Sequence, residues 1–225
     1  MTRRQWTGLA GLVFGAGMLG AIALFGSTPD SDQADAVAKY TEFWADDDYQ
    51  QRASTGQVIF TYLTVLLLCF AAGLRKVVGA DNSAAKSVIL AAGTSAAVLL
   101  TVGSTLISGV GLAGAESSGY KVDGNHALLL ESVGYYILVA GTMSAAAMAV
   151  AVSLENRRTR VLPAWTIVLT GLLALGQLGS IYTAWSGFFL LPAWSIVIGI
   201  CLLVTKGASG PDGQAASTAR DPVAA

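Results

Sequence analysis

The stretch QVIFTYLTVLLLCFAAGLRK, residues 57–76, runs from Gln57 to Leu74 without a charge and then meets Arg75 and Lys76. A helix rises about 1.5 Å per residue, so a hydrocarbon layer about 30 Å thick takes roughly 20 apolar residues to cross. A chain in hydrocarbon must satisfy its backbone groups internally, which leaves helices and closed barrels. The stretch lacks the polar–apolar alternation of a barrel strand, so it reads as a helix that ends in water at its two cations.

Working outward, five further runs have the same character: Trp6–Ser27, Ser87–Ile107, Glu131–Leu154, Pro163–Thr183 and Gly187–Thr205. The expected fold class is therefore all-α, an integral membrane helical bundle of six transmembrane helices plus a short amphipathic outer helix. Composition agrees. Of 225 residues, 54% are hydrophobic and 12% charged, about half the roughly 25% charge of a soluble domain. One membrane domain, 1–205, is expected, with a polar segment at 28–56 inserted between the first two spans and a disordered cytoplasmic tail at 206–225.

Charge orients these runs. Alternation from a cytoplasmic N-terminus places Arg3, Arg4, Arg75, Lys76, Lys86, Arg157, Arg158, Arg160, Lys206 and Arg220 inside. Only Lys39, Arg52 and Lys121 of the 13 basic residues fall outside. The acids run the other way, with Asp30, Asp32, Asp35, Glu42, Asp46, Asp47, Asp48, Glu116, Asp123 and Glu131 outside or at the outer boundary. The positive-inside rule then predicts a bacterial cytoplasmic membrane with both termini in the cytoplasm. The pair Arg3-Arg4 is similar to a twin-arginine export signal. The apolar run after it exceeds the roughly 7–15 residues of a signal core, so an uncleaved first span is expected.

Within the polar segment, QADAVAKYTEFWADD (33–47) places Ala34, Val37, Ala38, Tyr40, Thr41, Trp44 and Ala45 on one helical face. Asp35, Lys39, Glu42 and Asp46 gather opposite. Such a helix either lies in the headgroups or docks as a lid on the outer ends of the spans. Anionic lipid would repel its acids, which favours docking through Val37, Tyr40 and Trp44. The run Asp46–Tyr49 lacks the spacing of a calcium loop, so it reads as a solvated turn, and no metal site is expected.

Polar groups at membrane depth are costly and are functional candidates. Gln57 and Tyr62 open the second span, His126, Glu131 and Tyr135 the fourth, and Gln177 and Tyr182 close the fifth. These seven form a candidate outer-face polar pocket under the lid. Glu131 is the sharpest member. With Asn125 as helix cap it lies about 9 Å into its helix, where burial raises a carboxyl pKa. The plainer reading is a hydrated or paired carboxylate. His126 reads as an interfacial residue.

Two phrases repeat: LPAWTIV (162–168) and LPAWSIV (191–197). Pro163 follows the basic loop ENRRTRV and suits a first helical turn, with Trp165 at headgroup level. Pro192 to Thr205 is too short to span, so the sixth helix must begin earlier, with Pro192 inside it. The copies then face opposite sides of the membrane, which argues against a duplicated catalytic motif. Gly141, Ala145, Ala149 and Ser153, and the pair Gly11 and Gly15, predict close helix approach. Cys69 and Cys201 read as small buried apolar residues.

The layout resembles a loose class of bacterial multi-span membrane proteins. Their first span is followed by an outer proline and a tyrosine eleven residues on (Pro29, Tyr40). A basic loop then leads to Leu-Pro-x-Trp (Arg157, Arg158, Leu162, Pro163, Trp165), and the last span bears a tryptophan (Trp194). The likeness implies a membrane location and carries over no catalytic residue. No phosphate loop, paired metal ligands or nucleophile motif is present, so a non-enzymatic protein without a cofactor is expected. Its expected partners are the lipid bilayer and, as a candidate, another membrane protein; no nucleic acid is expected. The leading functional expectation is a sensor or accessory subunit using the acidic outer segment. The alternative is a small proton-coupled permease with Glu131 as the intramembrane acid.

Overall fold

A computed structural model describes residues 1–25, 28–31, 33–80, 83–117, 119–179 and 186–205. These form seven helices: α1 (Arg3–Phe25), α2 (Ala36–Ala45), α3 (Asp47–Val77), α4 (Ala84–Glu116), α5 (Gly124–Thr159), α6 (Trp165–Gly179) and α7 (Ser186–Val204). The described residues include no strand. Four helices, α1, α3, α4 and α5, are long and apolar enough to cross a membrane, and α6 and α7 are shorter apolar helices. The expected tail at 206–225 lies outside the described residues.

Apart from α2, the helices follow one another around a closed ring in chain order, and α7 returns beside α1. Each runs antiparallel to the last, so all basic loops gather at one end. There Arg4 donates to the Leu202 carbonyl at 3.1 Å and the Val161 carbonyl at 3.2 Å, tying α1 to α7 and to the α5–α6 loop. The ring is filled by Phe14, Met18, Leu67, Phe70, Leu100, Met148 and Trp194, among others. Small residues let the helices close on one another. A Cβ on Gly15 would stand 2.5 Å from the Pro192 carbonyl oxygen, so the Gly11–Gly15 pair serves packing within the chain. Cys201 is buried, whereas Cys69 faces outward, contrary to the sequence reading.

The repeated phrase performs two different jobs. Pro163 stands just before α6, and Trp165, the first residue of that helix, is 54% exposed. Pro192 lies inside α7, and Trp194 is 1% exposed. The Trp194 indole donates to the Thr170 hydroxyl at 3.0 Å and meets the Phe70 ring edge-on at 5.9 Å.

The acidic end is taller than hydropathy indicates. α3 begins at Asp47 rather than Gln57, with Asp46 accepting from the Asp48 N–H at 2.8 Å. α4 continues to Glu116. α5 begins at Gly124, and its cap is Asp123, which accepts from the Asn125 N–H at 2.9 Å; the expectation that Asn125 itself caps is corrected. That bond holds the Asp123 carboxyl below its ordinary range. Hydropathy marks only the apolar part of a helix, so these polar continuations were invisible to it. Together they carry a second small core of Ala36, Tyr40, Trp44, Ala53, Val110 and Ala127, separate from the bundle core.

α2 caps this headpiece, with a different buried face from the expected one. Ala36, Tyr40 and Trp44 are buried and Phe43 is half-buried, stacking on Tyr49 at 4.2 Å. Val37, Ala38 and Ala45 are exposed. Gly124 explains the rotation. It backs directly onto the Val37 carbonyl and the Thr41 hydroxyl, where no Cβ fits. The helix therefore meets α5 with its backbone there, and the Val37 side chain points away.

Candidate functional site

A cavity of about 610 Å³ lies between the bundle and the headpiece. Its walls come from α1 (Met18, Ile22), α3 (Phe60), α4 (Ser104, Ile107) and α5 (Glu131, Tyr135, Leu138). Tyr40 and Trp44 of α2, Phe188 of α7 and the segment from Thr28 to Ser31 add to them. The lining is mainly apolar and aromatic, and among the described residues its carboxylates belong to Glu131 and Asp30.

Glu131 is the polar centre of this space. Its Oε1 accepts a hydrogen bond from the Thr28 hydroxyl at 2.6 Å. Its Oε2 is shut away from solvent and receives no hydrogen bond among the described residues. The Tyr40 hydroxyl faces the same carboxyl while donating to the Pro29 carbonyl at 3.0 Å. Burial, and then the Glu131 charge, push the Tyr40 phenol well above the ordinary tyrosine range.

The seven pocket candidates separate in space. Glu131 and Tyr135 line the cavity, as do Tyr40 and Trp44 of the lid. Gln57 is buried behind the wall, donating to the Thr105 hydroxyl at 2.8 Å and accepting from Ser108 at 3.4 Å. Tyr62 is 72% exposed on the outside of the bundle. It follows Gln57 by five residues, which turns it about 140° around the helix, so the two cannot share a face. His126 is related to Glu131 by the same step. It is exposed and pairs with Asp123 at 3.4 Å. Gln177 is buried on α6 and is not among the residues that line the cavity. Tyr182 lies outside the described residues. Of the lid anchors, Val37 is the one that does not face inward.

Two features escaped the sequence reading. One is a seam of hydroxyls between α3 and α4, where Thr101 donates to Thr64 at 2.9 Å beside the Gln57–Thr105 bond. Its signal was present in the spacing of Gln57, Thr61 and Thr64 against Thr101, Thr105 and Ser108. The other is a buried lock at the basic end. Glu155, 0% exposed, accepts from the Ala80 N–H at 2.6 Å and from the Ser83 hydroxyl, with Arg158 at 3.9 Å. Asn156 holds the next loop, accepting from the Leu162 N–H at 2.7 Å and donating to the Leu162 carbonyl at 3.1 Å. Arg160 between them adopts a left-handed φ of 52°. A lone acid in the loop ENRRTRV was the available sign.

Compared with known proteins, the chain matches no family model, no curated protein and no solved structure at significance. The reading of its function therefore stands on the geometry of this site.

Proposed function

We propose that the chain is a six-span membrane protein with both termini in the cytoplasm, acting without catalysis as a sensor or accessory subunit through its outer headpiece. The distribution of basic residues supports this orientation, and the shorter apolar helices α6 and α7 overlap the fifth and sixth apolar runs. The observation that carries the functional reading is the position of α2. It is docked by Tyr40 and Trp44 over a partly open cavity, on helix extensions that stand beyond the apolar runs. A docked lid over a cavity is the arrangement through which binding at the outer face can alter the packing of the helices beneath it. The direct bonds at the opposite end favour a one-sided binding site over a conduit, which ranks the sensor above the permease.

The test replaces residues 33–45 with a glycine–serine linker of equal length. Fusion reporters after residues 120 and 205 should place the first outside and the second in the cytosol. The linker variant should keep a folded bundle by circular dichroism and size exclusion but lose the associations that cross-linking of the intact protein captures in cells. Recovery of the same partners with and without α2 would remove the headpiece from the function.

A further inference from the structure

We propose that the cavity beneath α2 binds a small organic cation with an apolar body, an amine or quaternary ammonium, with Glu131 as its counter-charge. The inference rests on the headpiece being a binding module and names what that module takes. Three observations converge on it. First, Glu131 lines the cavity, and its carboxyl is held by the hydroxyls of Thr28 and Tyr40 with no cation set against it among the described residues. A half-buried carboxylate without a counter-charge is costly, and a bound ammonium group supplies that charge. Second, among the described residues the lining holds Glu131 and Asp30 and no lysine, arginine or histidine. Of the outer cations, Lys39 pairs with Asp35 at 3.1 Å and Arg52 stands over the Tyr49 ring at 5.7 Å. Third, Tyr40, Trp44, Phe60 and Tyr135 bring aromatic rings to the same space, and aromatic faces attract cations.

The remainder of the wall selects the ligand's body. Met18, Ile22, Ile107 and Leu138 are apolar, so an inorganic cation that needs six or more oxygen ligands finds too few. A cavity of about 610 Å³ is within the range of roughly 300–1,000 Å³ found for small-molecule sites. An anion meets two carboxylates. The ammonium of an ethanolamine lipid headgroup offers the same chemistry as a free amine, and the experiment separates the two sources.

The full-length protein is placed in nanodiscs of phosphatidylglycerol alone and titrated with benzyltrimethylammonium by calorimetry. Saturable binding at one site is expected, weakened about tenfold or more by Glu131→Gln, with Glu131→Asp intermediate. Leu138→Trp, which fills the cavity and keeps the carboxylate, should also abolish it. Benzenesulfonate should not bind. Adding phosphatidylethanolamine to the discs right-shifts the isotherm if the headgroup amine is the natural occupant, and leaves it in place if a free cation is. Equal affinity in the wild type and a folded Glu131→Gln variant, or no binding by the wild type, overturns the proposal. Those results leave the headpiece reading standing if the linker variant still loses its partners. Native benzyltrimethylammonium affinity in the linker variant would instead remove α2 from the site.

Discussion

Glu131 and Glu155 stand on the same helix, 24 residues and so about 36 Å apart, and they have opposite fates. Glu155 closes the basic end. A backbone N–H, a hydroxyl and an arginine converge on it. Glu131 sits beside a cavity at the acidic end with one oxygen bonded by Thr28 and the other left without a donor among the described residues. A buried carboxylate whose bonds are all made stabilises one structure, and one whose bonds are partly made is ready for something else. The difference sets a basic end closed by its own bonds against an acidic end that holds a cavity.

The comparison can be broken first at the headpiece core. Trp44 is 3% exposed, and Trp44→Ala should cost about 4 kcal/mol of local stability. Hydrogen exchange should show α2 and the first turns of α3 and α5 opening while the ring beyond them stays protected. Uniform loosening of the whole protein would mean that the two ends are one cooperative unit.

Glu155→Ala comes next. It strands the Ala80 N–H and the Ser83 hydroxyl and should cost about 3 kcal/mol, read by denaturant unfolding in detergent. Glu131→Ala should cost less than about 1 kcal/mol by the same measure, because fewer bonds are lost. Equal losses at the two sites would erase the contrast.

Tyr40→Phe is a smaller change. It keeps the ring in the core and deletes the bond to the Pro29 carbonyl, for an expected loss of about 1 kcal/mol in thermal melts. The gentlest test is alkaline titration. Tyr40 has its folded pKa raised above the unfolded value of about 10, first by burial and then by Glu131. Its contribution is therefore intact below about pH 10 and is lost as pH climbs toward the folded value. Phenolate absorbance should show a late-ionising component that Tyr40→Phe diminishes.

Much of the framework was legible. The run at 57–76, the five runs like it and the clustering of cations between them identify the helices and bring the basic loops to one end. Even Pro192 inside the last helix follows from arithmetic on residue count. What escaped has definite physical causes. α3 gains ten residues before Gln57 because polar residues continue a helix as readily as apolar ones when a second core receives them. Tyr62 and His126 left the pocket because a five-residue step turns them off the face of Gln57 and Glu131. Val37 left the lid's inner face because Gly124 brings the backbones of α2 and α5 into contact at that point.

The amino-acid sequence alone determined which segments are helical, how long their apolar parts are and which loops share an end, since these depend on local hydrophobicity and charge. Only the tertiary structure decided which side of each helix faces a neighbour. In a soluble helix the apolar stripe reveals the buried side. Along these helices the outward surface is as apolar as the one turned to the core, so periodicity is silent, and packing alone gathered Glu131, Tyr40, Trp44 and Tyr135 around one cavity.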